Sequence, residues 1–139
     1  MNIEEAEDTL PNGLHDAKLL RFSVDYRAKS AEFRFNAWVG DLESPDNELR
    51  EKHREVTLRL SGVYFLVLEQ PDPAYAYAGA VPTIGGFSAW TGGIAPSQNI
   101  SSLVQKLPPN AFYDATFVED WNSFIHIGAE HAEINPVEQ

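Results

Sequence analysis

The sequence predicts a mainly β domain: an antiparallel meander of five or more strands, forming a curved sheet or a sandwich, with one short helix and a long covering loop. Three observations predict it. Apolar and polar residues alternate with a period of two in several separate stretches. A single later stretch, "NISSLVQKLPP", spaces its apolar residues as a helical stripe. Between the two kinds of pattern, Gln70 to Asn99 is rich in glycine, proline, alanine and aromatics and shows little periodicity.

The elements follow in chain order. Residues 1–11 are acidic and have no apolar run, and are expected to be a flexible lead into a single domain spanning 1–139. Leu20, Phe22, Val24 and Tyr26 share one parity; after "RAKS", Ala31, Phe33, Phe35, Ala37 and Val39 share the other. These are two strands of a hairpin, each with one wet face. A turn centred on Lys29-Ser30 would set Tyr26 opposite Phe33, Val24 opposite Phe35 and Asp25 opposite Arg34. In "ESPDNELREKH", Ser44 as cap with Pro45 at the first helical position signals one or two turns of surface helix. Val56, Leu58 and Leu60 then alternate with polar residues, and Val63 to Leu68 is apolar on both parities. Gly62 stands at the change, where a bulge or bend is expected. A strand apolar on both faces needs a second cover, and the Gln70–Asn99 segment is the expected one. Structureless loops beyond about 15 residues are uncommon in compact domains, so Tyr75, Tyr77, Phe87 and Trp90 are expected to anchor it, with a short strand near Val81 to Ile84. Ile100, Leu103, Val104 and Leu107 form the helical stripe, capped by Asn99 and stopped by Pro108. A last hairpin runs from Tyr113, Ala115 and Phe117 through "EDWN" and back along Ser123 to about Ile134.

Composition removes several function classes. The chain has 139 residues, no cysteine and a formal charge of −11. The absent cysteines exclude disulfides, thiol nucleophiles and thiolate-bound metals. The charge is uneven: residues 1–60 hold nine bases and thirteen acids, residues 61–139 only Lys106 against eight acids. Such a surface repels nucleic-acid phosphate and anionic lipid and attracts a basic partner. The N-terminus does not read as a signal peptide or membrane anchor, and a cytoplasmic location is expected.

Each catalytic signature that the sequence approaches is broken. Ser88 in "GGFSAWTGG" lacks the second glycine of a nucleophile elbow. "HIGAEH" is one residue too long for the inverted zinc-protease motif. Pro45 and a missing glycine break any calcium loop in "DLESPDNELREKH". His126, Glu130 and His131 remain as candidate metal ligands, although only His126 and Glu130 share a strand face. Neighbours on an extended chain point to opposite faces, so Asp16 is not expected to orient His15; the pair reads as stitching of the turn after Asn12-Gly13. No cofactor is expected.

The stretches "LPNGLHDAKLLRFSVDY", "NAWVGD", "LRLSGVYFLVLEQPDP" and "WNSFIHIGAEHAEI" resemble an uncharacterised family of small bacterial proteins that open with a His-Asp-Ala strand and end in a Trp-Asn-x-Phe-Ile strand. More distantly, His15, Asp16 and Ala17 with the strand after them are similar to some immunity proteins of bacterial polymorphic-toxin systems. That resemblance implies blocking of a toxin by binding, without chemistry. The leading expectation is therefore a non-enzymatic acidic protein-binding domain, immunity-like, that meets a basic protein through Asp41, Glu43, Asp46, Glu48, Glu51 and Trp90. The alternatives are a small hydrolase or metal-dependent enzyme built on His126, Glu130 and His131 with His15 nearby, and a small-ligand-binding or structural β domain. Oligomeric state is left open.

Overall fold

A computed structural model describes residues 1–74, 81–87 and 98–138. The expected mainly β, antiparallel fold is what it shows. Five strands, β1 (Lys18–Asp25), β2 (Ser30–Trp38), β3 (His53–Leu68), β4 (Phe112–Val118) and β5 (Ser123–Pro136), make one sheet in the order β1-β2-β3-β5-β4. The long connection after β3 carries the chain to the far edge, so β5 returns between β3 and β4. Among the described residues three helices accompany them: α1 (Ile3–Glu7), α2 (Asn47–Arg50) and α3 (Gln98–Gln105). None is long and apolar enough to cross a membrane.

β2 alternates as its sequence does: Ala31, Phe33, Phe35 and Ala37 are buried, with half-buried neighbours between. Their partners on the same face of β3 are Leu60, Leu58 and Val56, which closes the core across the two strands. β1 is less regular. Leu20 is an extra residue in the pairing, and this bulge moves the core-facing set from Leu19 to Phe22 and Val24. Leu20 and Tyr26 are consequently exposed, and Phe22, stacked on Phe33 at 5.4 Å, is 40% exposed. The hairpin register also lies four residues from the expected one, with Val24 opposite Ala31 and Asp25 opposite Ser30. Local chemistry accounts for it: Asp25 Oδ1 accepts the N–H of Arg27 and Ala28, both at 3.0 Å. Lys29 then takes a left-handed conformation (φ 52°) to close a four-residue turn.

The final hairpin forms as read, but β4 faces the other way. Asp114, Thr116 and Val118 pair with Ile127, Ile125 and Ser123 toward the core, while Tyr113, Ala115 and Phe117 lie on the outer face beside Gly128, His126 and Phe124. Gly62 sits at φ 61°, and the β3 bulge follows it at Tyr64.

The sheet curls until its edges are tied at one end by residues 82–85. Lys18 bridges Thr83 and Ile84 bridges Val118. Ile84 N–H donates to Ala17 O (2.9 Å) and Gly85 N–H to Phe117 O (3.0 Å). Here the expected short strand near Val81 to Ile84 appears, as a single pair of bridges, and Ile84 and Phe87 are buried in the core. Tyr75, Tyr77 and Trp90, expected to anchor the same segment, lie outside the described residues, as does Ser88.

Three boundaries differ from expectation. The first eleven residues are not a loose lead: Asn2 and Glu5 cap α1 reciprocally, and Ile3 and Ala6 are fully buried against the sheet. Asp46, not Ser44, caps α2, because its carboxylate takes the Glu48 N–H at 2.9 Å and leaves a single exposed turn. α3 starts at Gln98, which places Asn99 inside it; Ile100 of the predicted stripe is buried.

Candidate functional site

Between β2 and β3 the chain projects a lobe, Gly40 to Lys52, fixed at its base by unusually direct contacts. A Cβ on Gly40 would lie 1.8 Å from the Arg50 carbonyl oxygen, so the two strands of the lobe approach only because residue 40 is glycine. Trp38 Nε1 donates to that same carbonyl at 2.6 Å. Asn12 Nδ2 reaches across to Trp38 O (3.1 Å) and Gly40 O (2.9 Å). Asp41 N–H donates to Leu49 O at 2.9 Å.

Five carboxylates and the Arg50 guanidinium lie between Asp41 and Glu51, and all are exposed. They divide by role. Asp41 Oδ1 accepts the Glu43 N–H (2.9 Å) and Asp46 caps α2, so these two shape the loop. Glu43, Glu48 and Glu51 project from it. Leu42 is 65% exposed and Leu49 53%. Beside them an open recess of about 800 Å³ is lined by Asp16, Trp38, Leu42, Arg50, Glu51 and His53. Trp38, on the wet face of its strand, thus forms one wall of this recess.

His15 and Asp16 do touch. His15 Nε2 lies 3.4 Å from Asp16 Oδ2, because Asp16 adopts a left-handed backbone (φ 59°) and the premise of an extended chain fails there. Both side chains are more than half exposed. His15 Nδ1 is 3.3 Å from Gly85 O, which joins the turn to the tied end of the sheet. Asn12, passed over in the sequence as a turn residue, does more of the stitching.

The C-terminal candidates do not assemble. Four residues of extended chain, about 13 Å, separate His126 from Glu130 on their strand, and His131 Nδ1 lies 2.7 Å from the N-terminal amine of Met1. Glu130 Oε1 is taken by Tyr64 OH (2.6 Å) and Asn110 Nδ2 (3.0 Å). His126 Nδ1 meets Tyr113 OH at 2.9 Å, and its Nε2 faces Glu69 Oε2 at 3.4 Å. Among the described residues no three His, Asp or Glu side chains converge to hold a metal.

Two acids went unnoticed in the sequence. Asp114, 4% exposed, points from β4 into the core, and Glu7 closes the end of α1. Burial pushes both carboxyls up to about 7, against the opposing pull of one backbone N–H each, from Phe87 to Glu7 (2.6 Å) and from Ala115 to Asp114 (2.9 Å). Glu7 and Glu4 raise Asp114 further; Asp8 and Glu4 raise Glu7, while His15 lowers it. Neither opens onto a described cavity, so the pair bears on stability rather than on chemistry.

The geometry offers an exposed acidic and apolar surface and, among the described residues, no constellation of nucleophile, base and orienting group. No family model, curated protein or solved structure matches the chain.

Proposed function

We propose that this is a non-enzymatic protein-binding domain whose lobe, Asp41 to Glu51, docks on a basic protein. The supporting observation is the pairing of Leu42 and Leu49, both more than half exposed, with Glu43, Glu48 and Glu51 on a rigidly based loop. Apolar anchors within a charged rim are the anatomy of a docking surface. The recess against Trp38 is wide and open, which suits a protein side chain better than an enclosed metabolite. The net charge of −11 would steer a basic partner toward it. The resemblance to toxin-immunity proteins agrees with this reading.

The test is capture of the partner by wild-type protein and by a Glu43→Gln, Glu48→Gln, Glu51→Gln variant, each at low and high salt. The reading requires a partner that wild type holds at low salt and that both added salt and the triple variant release. A partner retained undiminished by the variant at either salt concentration would overturn it. Leu42→Ala should slow association little and hasten dissociation, since rim charges act on encounter and buried anchors on release.

A further inference from the structure

Away from the lobe, β3 outruns its neighbour. β2 accompanies it only from His53 to Ser61, whereas β5 pairs with it as far as Leu68. The hairpin of β1 and β2 turns away over Tyr26 to Lys29, and its last link is the Val63 N–H donated to Lys29 O at 2.9 Å. Beyond that point the direction of each β3 backbone group follows from the ladder. Glu69 N–H donates to Phe124 O at 3.0 Å, and an antiparallel pair exchanges bonds at alternate residues. Phe65 and Val67 therefore turn their N–H groups toward β5. Leu66 and Leu68 turn theirs to the side that β2 has vacated, where no described strand pairs with them.

A cavity of about 700 Å³ lies along this edge, walled by Phe22, Val24, Val63, Phe65, Leu66 and Leu68. At its rim stands Glu130. Tyr64 and Asn110 both donate to its Oε1, which fixes the carboxylate and holds it below the usual carboxylate range. Oε2 lies over Gly62, where a Cβ would come within 2.5 Å of it. Asp25 and Lys29 are also on the lining; the Lys29 charge acts on Glu130, and the three groups together leave one net negative charge at the rim.

We propose that this notch binds an extended segment of a basic partner protein as an added strand on the Leu66–Leu68 edge, with apolar side chains in the cavity and a lysine or arginine on Glu130. The occupant follows from three features together. Backbone donors and acceptors at alternate residues that no described strand pairs call for another backbone. The apolar walls call for side chains on alternate residues of it. The fixed carboxylate calls for a cation. A compact apolar ligand would fill the cavity but leave the Leu66 and Leu68 backbone groups dry and unpaired. A second copy of this chain would bring another −11 of charge against the same carboxylate.

The probe is a synthetic peptide, Val-Thr-Val-Lys-Val-Thr-Val, titrated into the full chain and followed by calorimetry and amide hydrogen exchange. In the free protein the Leu66 and Leu68 amides should exchange quickly while those of Phe65 and Val67 are protected; on binding, the first two should gain protection. Replacing the peptide lysine by glutamate should weaken binding about tenfold, and Glu130→Gln should remove that difference. Leu66→Pro should abolish binding yet leave the ladder to β5 intact, because it removes one apolar wall of the cavity and an N–H that β5 does not use. A peptide N-methylated on alternate residues tests the same point without altering the protein, and should not bind. The proposal is overturned if no peptide binds, if binding brings no protection at Leu66 and Leu68, if the N-methylated peptide binds as well as its parent, or if sedimentation shows the edge paired between two copies of the chain.

Discussion

The imidazole of His126 is 5% exposed and stands among rings on the outer face of β5, with Tyr113 and Phe124 centred about 6 Å away. Burial, then the charges of Asp114 and Glu69, raise the Tyr113 phenol above its ordinary pKa and keep it a donor. Its O–H satisfies Nδ1, which leaves the ring proton on Nε2, toward Glu69. Tyr113→Phe should strand a buried ring nitrogen and cost about 1–3 kcal/mol, read as a lower urea midpoint with an unchanged slope. Nothing in "FIHIGAEH" signals this environment. A histidine between two isoleucines on a strand has a wet face by default; Phe124 flanks it on the same strand, but the Tyr113 ring that stacks on it comes from β4 and is set there only by the pairing. Asp114 is obscured in the same way: its polar character places it on the solvent side of an alternating strand, whereas the pairing with Ile127 turns it to the core.

Among the elements, β2 was the most legible, because an uninterrupted period of two admits one assignment of faces. β1 carries an equally clear alternation, but a bulge at Leu20 changes its parity; an inserted residue leaves no mark in a hydrophobicity pattern. The short turn between them was misplaced because its geometry comes from the Asp25 carboxylate and not from a glycine or asparagine. α1 did have a signature. Asn2 and Glu5 have capping-box spacing, and Ile3, Ala6 and Leu10 form a short stripe at helical intervals. A five-residue helix does not persist alone, so α1 exists through its docking, and Ile3→Ala, which leaves a void in the core, should cost about 2–4 kcal/mol. Denaturant unfolding of that variant, with proteolysis near residue 8 as a local probe, checks whether α1 detaches before the sheet unfolds. The lobe was legible as an exposed, acidic, one-turn helix; its rigid base, built by Asn12, Trp38 with Gly40, and Arg50, was not, since it joins residues from three parts of the chain.

At the scale of the whole molecule, the buried carboxyl of Asp114 and the half-buried one of Glu7 make stability depend on pH in the direction opposite to that of a salt-bridged acid. Glu7 and Asp114 have ordinary values of 4.5 and 3.8 and are raised to about 7 in the folded chain. Between those limits the folded state binds more protons than the unfolded one, so its stability is full below the ordinary values and is lost as pH rises through about 7. The groups facing the pair reinforce this: Glu4 and Asp8 are acidic, and only His15 opposes them. Ionisation would place two carboxylates where α1, the 82–87 segment and β4 meet, and the single N–H that each accepts, from Phe87 and from Ala115, offsets the cost of burial only in part. The net charge of −11 adds general repulsion with the same sign. The urea midpoint should therefore be higher at about pH 5.5 than at about pH 8. In a Glu7→Gln, Asp114→Asn variant the two midpoints should draw together, chiefly through a gain at the higher pH. A wild-type midpoint that rises from the lower pH to the higher would show that the pair is ionised in the fold and that the tied end of the sheet admits solvent.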